Sequence, residues 1–436
     1  MFKRRINTIQ FAAASKRRIR TVQLAAIGVA ALTAAACSSS AATTGAGAGA
    51  AAGSTASGTS SSSTITVGGM APLTSQLLTQ PEIEAGIVAA IDALNAQGGI
   101  DGHQVKLDYC DTQYTDSGEI SCTDQMISDK VSAVIAPSAG ASASVTPFAL
   151  AQAADLASIG GIGEIPPELT TPGVFPLAGS DPGWAYGAIA ALVKGGARRI
   201  AVLGNLTGNY EAARAYALAA LKVAGLTPAV VSEGDPSSDP TFSAAAAKAV
   251  QGNPDGIYLA LSPTNVPIAV RALRAAGYTG PIAATAPAVT PPIIKALGSE
   301  GNGIELAGNV AFPSETSNPA VAAYLADMAK YQPNGTIDQL SETSWAGMML
   351  FAQAMKGQTN FSASNVLSVM NNLSTPINLG VTGPYKVKGS PSPIPGFPNI
   401  HNPTITLGVL QNGVIKPAAG PAFVNPVTVL NAAASK

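Results

Sequence analysis

From Ile65 onward the chain alternates two kinds of apolar pattern. The runs ITVGGM (65–70), QVKLDYC (104–110), VSAVIAP (131–137), LASIG (156–160), RRIAVLGN (198–205), PAVVSEG (228–234), DGIYLALS (255–262) and PIAATA (281–286) read as strands. Helical spacing fills the gaps. Ile83, Ile87, Ile91 and Leu94 follow Pro81 and are closed by Gly98-Gly99, with proline at the start and glycine at the end as a helix prefers. Further helices are expected near 117–129, 182–194, 209–224, 241–251 and 264–276. Continuous apolar strands separated by helices predict an α/β fold whose parallel sheets are covered on both faces. The tail differs. Helices are expected at 318–331, 338–356 and 363–373, then hairpin-like strands around a Pro-rich loop, with the turn Asn412-Gly413 between apolar runs.

The first 36 residues follow another pattern. They hold Lys3, Arg4, Arg5, Lys16, Arg17, Arg18 and Arg20 and no acid, and the apolar run Val22–Leu32 is 11 residues long. That is too short to span a bilayer core of about 30 Å as a helix, and it reads as a targeting segment. It ends in VQLAAIGVAALTAAAC, so Cys37 is the expected lipidation site and first mature residue. Ala34 stands three residues before Cys37, and together with Ala36 it also fits ordinary Ala-x-Ala cleavage. An uncleaved amphipathic helix is the third reading. Residues 38–63 contain only Ser, Ala, Thr and Gly. Such a segment cannot bury enough apolar surface to offset its chain entropy, so 37–63 reads as a flexible tether with a span on the order of 28 Å. The expected location is therefore the outer face of the cytoplasmic membrane, by export and a lipid anchor.

The body from Thr64 is about 370 residues, beyond one hydrophobic core, so two lobes are expected. With the seven basic residues of the first segment set aside, 17 Lys and Arg face 25 Asp and Glu, a net of −8. That argues against a nucleic-acid partner, which needs a basic footprint. Cys110 and Cys122 form an even pair in an exported chain and are expected to be bridged, with two buried thiols as the other possibility. Catalytic signals are missing. His103 and His401 have no His or Cys at ligand spacing, so neither metal nor cofactor is expected. No G-x-S-x-G elbow and no P-loop occurs, and Pro166 stands where Gly161-Ile-Gly163 would need its third glycine. Asp108, Asp111 and Asp116 read as turn and cap residues. An enzyme is not expected.

Loops after the strands are rich in small and hydroxyl residues, APLTSQLLTQ after the first and PSAGASASVTP after the third. Ligands of open α/β sheets bind at the carboxyl ends of strands, among helix N-termini. Ser138, Ser142 and Ser144 are placed to meet a polar ligand head, or to cap the helix that begins near Ala143.

These segments carry a resemblance. VGGMAPLTSQ, IDALNAQGGIDGHQVKLDYCDTQYTD, KVSAVIAPSAGASASVTPFA, PPELTTPGVFPL, RRIAVLGNLTGNYEAARAY and NPDGIYLALS…RALRAAGYTGPI resemble the branched-chain amino acid type of periplasmic solute-binding proteins, which feed ABC importers. The resemblance runs from Ile65 to about residue 430. It implies two Rossmann-like lobes joined by three crossovers, with 64–178 plus 309–380 in one and 179–308 plus 381–430 in the other. The implied partners are a small-molecule solute, amino acid-like or otherwise partly apolar, and an ABC permease, with the receptor a monomer. A lipid-anchored sensor or surface protein that kept the fold without transport is the alternative. Of the family's ligand positions, the serine matches Ser142 and the aromatic matches Tyr210. The hydroxyl that binds a ligand carboxylate falls near Ile165, beside Gly163 and Glu164. One aromatic falls on Leu77 or Leu78, another on Ser262, and the acid that meets the ligand ammonium falls on Ala286. The resemblance thus implies a pocket less polar than the family norm, in which another acid, Glu164, takes the ammonium, or a ligand that is not an ordinary α-amino acid.

Overall fold

The computed structural model describes residues 64–138, 145–206 and 210–435. The targeting segment, Cys37, the tether, Ser142 and Ser144 lie outside the described residues.

Two sheets form among the described residues. The first comprises β1 (Ile65–Ala71), β2 (Val105–Asp111), β3 (Val134–Ile135), β4 (Ser158–Ile159) and β5 (Val174–Phe175), all parallel, in the order β2-β1-β3-β4-β5. Between them run α1 (Pro81–Ala96), α2 (Asp116–Ser128), α3 (Thr146–Ala153) and α4 (Pro166–Thr170). The run 131–137 yields a two-residue strand because Ala136 turns out of the ladder at φ 43°. The second sheet has β6 (Ile200–Asn205), β7 (Val231–Gly234), β8 (Gly256–Ala260), β9 (Ile282–Thr285), β10 (Glu305–Gly308), β11 (Thr406–Gln411) and β12 (Val414–Pro417), in the order β12-β11-β10-β9-β8-β6-β7. Its last two strands are antiparallel, joined through Asn412 (φ 51°) and Gly413 (φ 78°) as an Asn-Gly hairpin turn requires. Interleaved are α5 (Ser180–Lys194), α6 (Tyr210–Val223), α7 (Ser243–Gln251), α8 (Val266–Ala275) and α9 (Pro291–Leu297). Then come α10 (Pro319–Tyr331), α11 (Gln339–Ala354), α12 (Ala363–Asn371) and, at the end, α13 (Pro426–Ala434).

Both sheets are buried on two faces, as the unbroken apolar strands predict. In the second, Ile200, Val202 and Tyr258 join the core with α5, α6 and α13, while Ala201, Leu203, Ile257 and Leu259 join the core with α7 and α8. In the first, Ile65, Val67, Ile135 and Ile159 share the core of α1 and α11; Met70 and Val134 face Cys122 and Met126 of α2. Cys110 and Cys122 are bonded, tying β2 to α2 across a Cα–Cα distance of 5.5 Å.

Helix α11 is buried along its length, Met349 and Gln353 excepted, and two glycines set its depth. A Cβ on Gly86 of α1 would land on the carbonyl oxygen of Ser341, and one on Gly160 (φ 76°), after β4, would land on the Cα of Gly347. Neither neighbour is a side chain that can swing away. Gly86→Ala and Gly160→Ala are each expected to cost about 1–3 kcal/mol by overpacking, with strain at positive φ added for Gly160. Thermal unfolding followed by circular dichroism checks this; a Tm equal to that of the parent for either variant contradicts it.

Candidate functional site

The carboxyl ends of strands from both sheets open on one cleft of about 340 Å³, within the range of small-ligand pockets. From the first sheet's loops come Leu78, Gln80, Tyr114 and Glu164, and from the start of α1 comes Glu82. The second sheet contributes Tyr258 and Leu261, with Tyr210 at the start of α6. Asp181 and Trp184 reach in from α5, and Asp338 from the N-cap of α11. Proline at the first turn of α1 and the aspartate cap of α11 fix where those helices start, and so fix where their acids stand.

Of the residues singled out from sequence, Leu78, Glu164 and Tyr210 line this cleft. Ser138 is buried just behind it. Its Oγ donates to Gln80 Oε1 at 2.6 Å, and the Gln80 amide in turn hydrogen-bonds the Glu164 carboxylate. Ser262 also acts one layer back: it hydrogen-bonds the Tyr210 hydroxyl and accepts from Asn205 Nδ2 at 3.3 Å, while Asn205 Oδ1 accepts from Asn265 Nδ2 at 3.2 Å. Gly163, at φ 70°, offers its carbonyl to the Asp181 N–H at 3.1 Å, and a Cβ there would collide with Ser180 and Leu169. It positions Asp181 and does not touch the cleft. Leu77 is 82 % exposed and points away. Ile165 is buried with Phe148 and Val174. Ala286 is buried against a neighbouring cavity of about 690 Å³, which Asp338 also borders. Of the four side chains Leu77, Leu78, Ile165 and Ala286, only Leu78 lines the cleft, whose wall is otherwise largely apolar.

Carboxyls supply all of its charge. Glu82, Glu164, Asp181 and Asp338 all line the space, and no Lys, Arg or His does among the described residues. Burial pushes Glu82 up to about 7, with Asp338 adding to the shift. Burial raises Glu164 to about 7 as well, against the stabilising hydrogen bond of Gln80. Asp181 is raised well above the carboxylate range by burial and by Glu164 beside it. Behind them Glu168, raised to about 8 by burial and Glu164, accepts from the backbone N–H of Glu164 at 2.7 Å and of Ile165 at 3.2 Å. Asp338, also raised by burial, uses Oδ1 to cap α11, accepting from Leu340 and Ser341 N–H at 3.0 Å each. Its Oδ2 has no partner, and neither does the hydroxyl of fully buried Tyr258. The ion pairs among the described residues, Arg214 with Glu211 and Glu233, and Arg271 with Glu300, include none of the cleft acids. Glu82, Asp181 and Asp338 escaped sequence reading because a first-turn acid is the ordinary signature of a helix start. Nothing in the local sequence says that three such starts converge.

The histidines stay outside this chemistry: His401 Nδ1 sits 3.2 Å from the Ser390 carbonyl and its pKa is lowered by burial, and the His103 ring lies tilted against Phe361 with centroids 5.0 Å apart. No group of three or more His, Cys, Asp or Glu among the described residues could hold a metal.

Paired α/β sheets whose strand ends share a ligand-sized cleft define the class of two-sheet solute receptors. The family model described as periplasmic binding protein matches residues 64–391, three quarters of the chain, and the chain belongs to that family. It is similar in structure to an extracellular ligand-binding receptor from Verminephrobacter eiseniae (18 % identity, 81 % of this chain and 99 % of that one, TM-score 0.68). It is similar also to the branched-chain amino acid transporter substrate-binding protein of Streptococcus pneumoniae in complex with isoleucine (19 %, 83 % and 99 %, 0.65). A third is an ABC transporter solute-binding protein of R. palustris in complex with 4-hydroxybenzoate (16 %, 83 % and 97 %, 0.64). No curated protein sequence matches.

The raised carboxyls set a pH dependence. Between an unfolded value near 4.5 and a folded value about 7, the folded state binds more protons than the unfolded one at Glu82 and Glu164. Their contribution to stability is full below about 4.5 and is lost as pH rises through about 7. Glu164→Gln removes one such site, so in ligand-free protein it should raise Tm at pH 8 by about 2–4 °C, the shift for roughly 1 kcal/mol in a large domain. At pH 5 it should do little. Differential scanning calorimetry at the two pH values reads this, and a variant that is less stable at pH 8 contradicts it.

Proposed function

We propose that this chain is an extracytoplasmic receptor that captures a small solute in the cleft and delivers it to an ABC permease, without chemical turnover. In this reading 64–178 plus 309–380 form one lobe and 179–308 plus 381–430 the other, and the lobes close on the ligand by hinge motion. The observation that supports it best is the cleft itself. Groups from both sheets converge on it, with the buried acceptor Oδ2 of Asp338 left unpaired, an arrangement that costs stability unless a ligand uses it. Lipid on Cys37 would hold the receptor at the outer face of the cytoplasmic membrane, within reach of its permease.

Protein purified from cells under native conditions should carry a small molecule at one per chain, detected by native mass spectrometry. Tyr210→Ala should lose it or loosen it at least about tenfold, since a buried aromatic contact is worth about 1.4 kcal/mol or more. Solution scattering should show a smaller radius of gyration with ligand than without. A cleft that takes up no small molecule, and a shape that never changes, would sink the receptor reading. Cys37→Ala should release the protein from the membrane fraction.

A further inference from the structure

The carboxyls of the cleft fall into two sets. Glu164 lies beside Asp181, whose N–H bonds the Gly163 carbonyl at 3.1 Å, and Glu82 of α1 lies beside Asp338, since α1 packs on the first turn of α11 at Gly86 and Ser341. Each set carries a buried acceptor without a partner. Asp338, 7 % exposed, leaves Oδ2 unpaired on one side; the Tyr258 hydroxyl, fully buried and within the field of Asp181, is unpaired on the other. The same cleft is also lined by the apolar Leu78, Leu261, Pro263 and Ile293. A buried acid without a counter-charge is held neutral at the expense of stability, and a cation restores the ionised form with strong hydrogen bonds.

We propose that the cleft binds a small organic dication, one basic nitrogen lodged at Glu164 and Asp181 and the other at Glu82 and Asp338, with an aliphatic chain along the apolar wall. The proposal rests on the receptor reading and names its substrate class. An ammonium group brings three donors and no acceptor, which suits two carboxyls and a lone hydroxyl at one end and two carboxyls at the other. A zwitterionic amino acid fits less well. The N-termini of α1, α5 and α11, which would otherwise attract its carboxylate, each already carry an acid in the first turn or at the cap. A ligand carboxylate would meet like charge there.

Isothermal titration calorimetry at pH 7.5 on ligand-free protein, with 1,4-diaminobutane, 1,5-diaminopentane, n-butylamine and L-leucine as probes, tests this. A diamine should bind one per chain, at least about tenfold tighter than butylamine, with leucine giving no heat. Glu164→Gln and Asp338→Asn should each weaken the diamine at least about tenfold, the effect of removing one charged partner. Asparagine still caps a helix, so the second variant keeps α11 intact, and a thermal melt verifies folding of both. Glu300→Gln, at the surface pair with Arg271, should change nothing. Diamines that bind no better than butylamine, or that ignore both substitutions, overturn the proposal. Leucine binding that Tyr210→Ala abolishes would overturn it while leaving the receptor reading intact; failure of every probe, together with no copurifying ligand, overturns both.

Discussion

The seating of α11 is the constraint on which the rest of the molecule turns. The chain leaves the second sheet after β10 and returns to the first, where α11 lies against α1 and against the segment after β4. Gly86 and Gly160 let backbone meet backbone there, where any side chain would hold the helix off. Trp345 Nε1 adds a hydrogen bond to Asp327 Oδ2 at 2.9 Å, tying α11 to α10. With the body of the helix so fixed, its first residue has little freedom. The cap at Asp338 is delivered to the cleft because packing at Ser341, within the first turn, and at Gly347, about two and a half turns on, leaves it no other place.

That placement explains how an acidic cleft can exist at all. Burying carboxyls without cations is unfavourable, and the raised values of Glu82, Glu164 and Asp181 register the cost. Helix N-termini offset part of it, since each presents roughly half a positive charge and free N–H groups. Glu82, Asp181 and Asp338 each stand at such an end. Glu164 stands just before the short α4 and is held by hydrogen bonding from Gln80, which Ser138 orients. The cleft is therefore strained electrostatically, a state that a bound cation relieves and a bound anion aggravates.

Much of the fold was legible in the sequence because unbroken apolar strands between helices leave few alternatives. The Asn412-Gly413 turn and the Cys110–Cys122 bridge were legible for local reasons, a backbone needing positive φ twice and an even cysteine pair. The short strands β5 and β10 carried too few residues to show a period. At the site, Tyr210, Leu78 and Glu164 were found by position, and all three line the cleft. Ser138 and Ser262 were found as ligand contacts but act through Gln80 and Tyr210, since a hydroxyl's partner cannot be read from its place in a loop. Leu77, Ile165 and Ala286 turned elsewhere because a one-residue change of loop register flips a side chain from cleft to core or solvent.

The fate of Ala286 carries the last step. The resemblance puts an ammonium-binding acid at that position, and the alanine there suggests that the charge was lost. The structure shows Ala286 and Asp338 bordering the same neighbouring cavity, with Asp338 also lining the cleft. The Asp338 carboxyl thus stands near Ala286 but comes from the cap of α11, about fifty residues later in the chain. An acid at a helix cap differs in its chemistry from one at the end of a strand. On a strand end it would have both oxygens free for ligand; as a cap it spends Oδ1 on the backbone and presents only Oδ2. One oxygen gives one strong contact, so a cationic group there needs a second acceptor. Glu82, two residues beyond the Gln80 that orients Glu164, is the carboxyl close enough to share it.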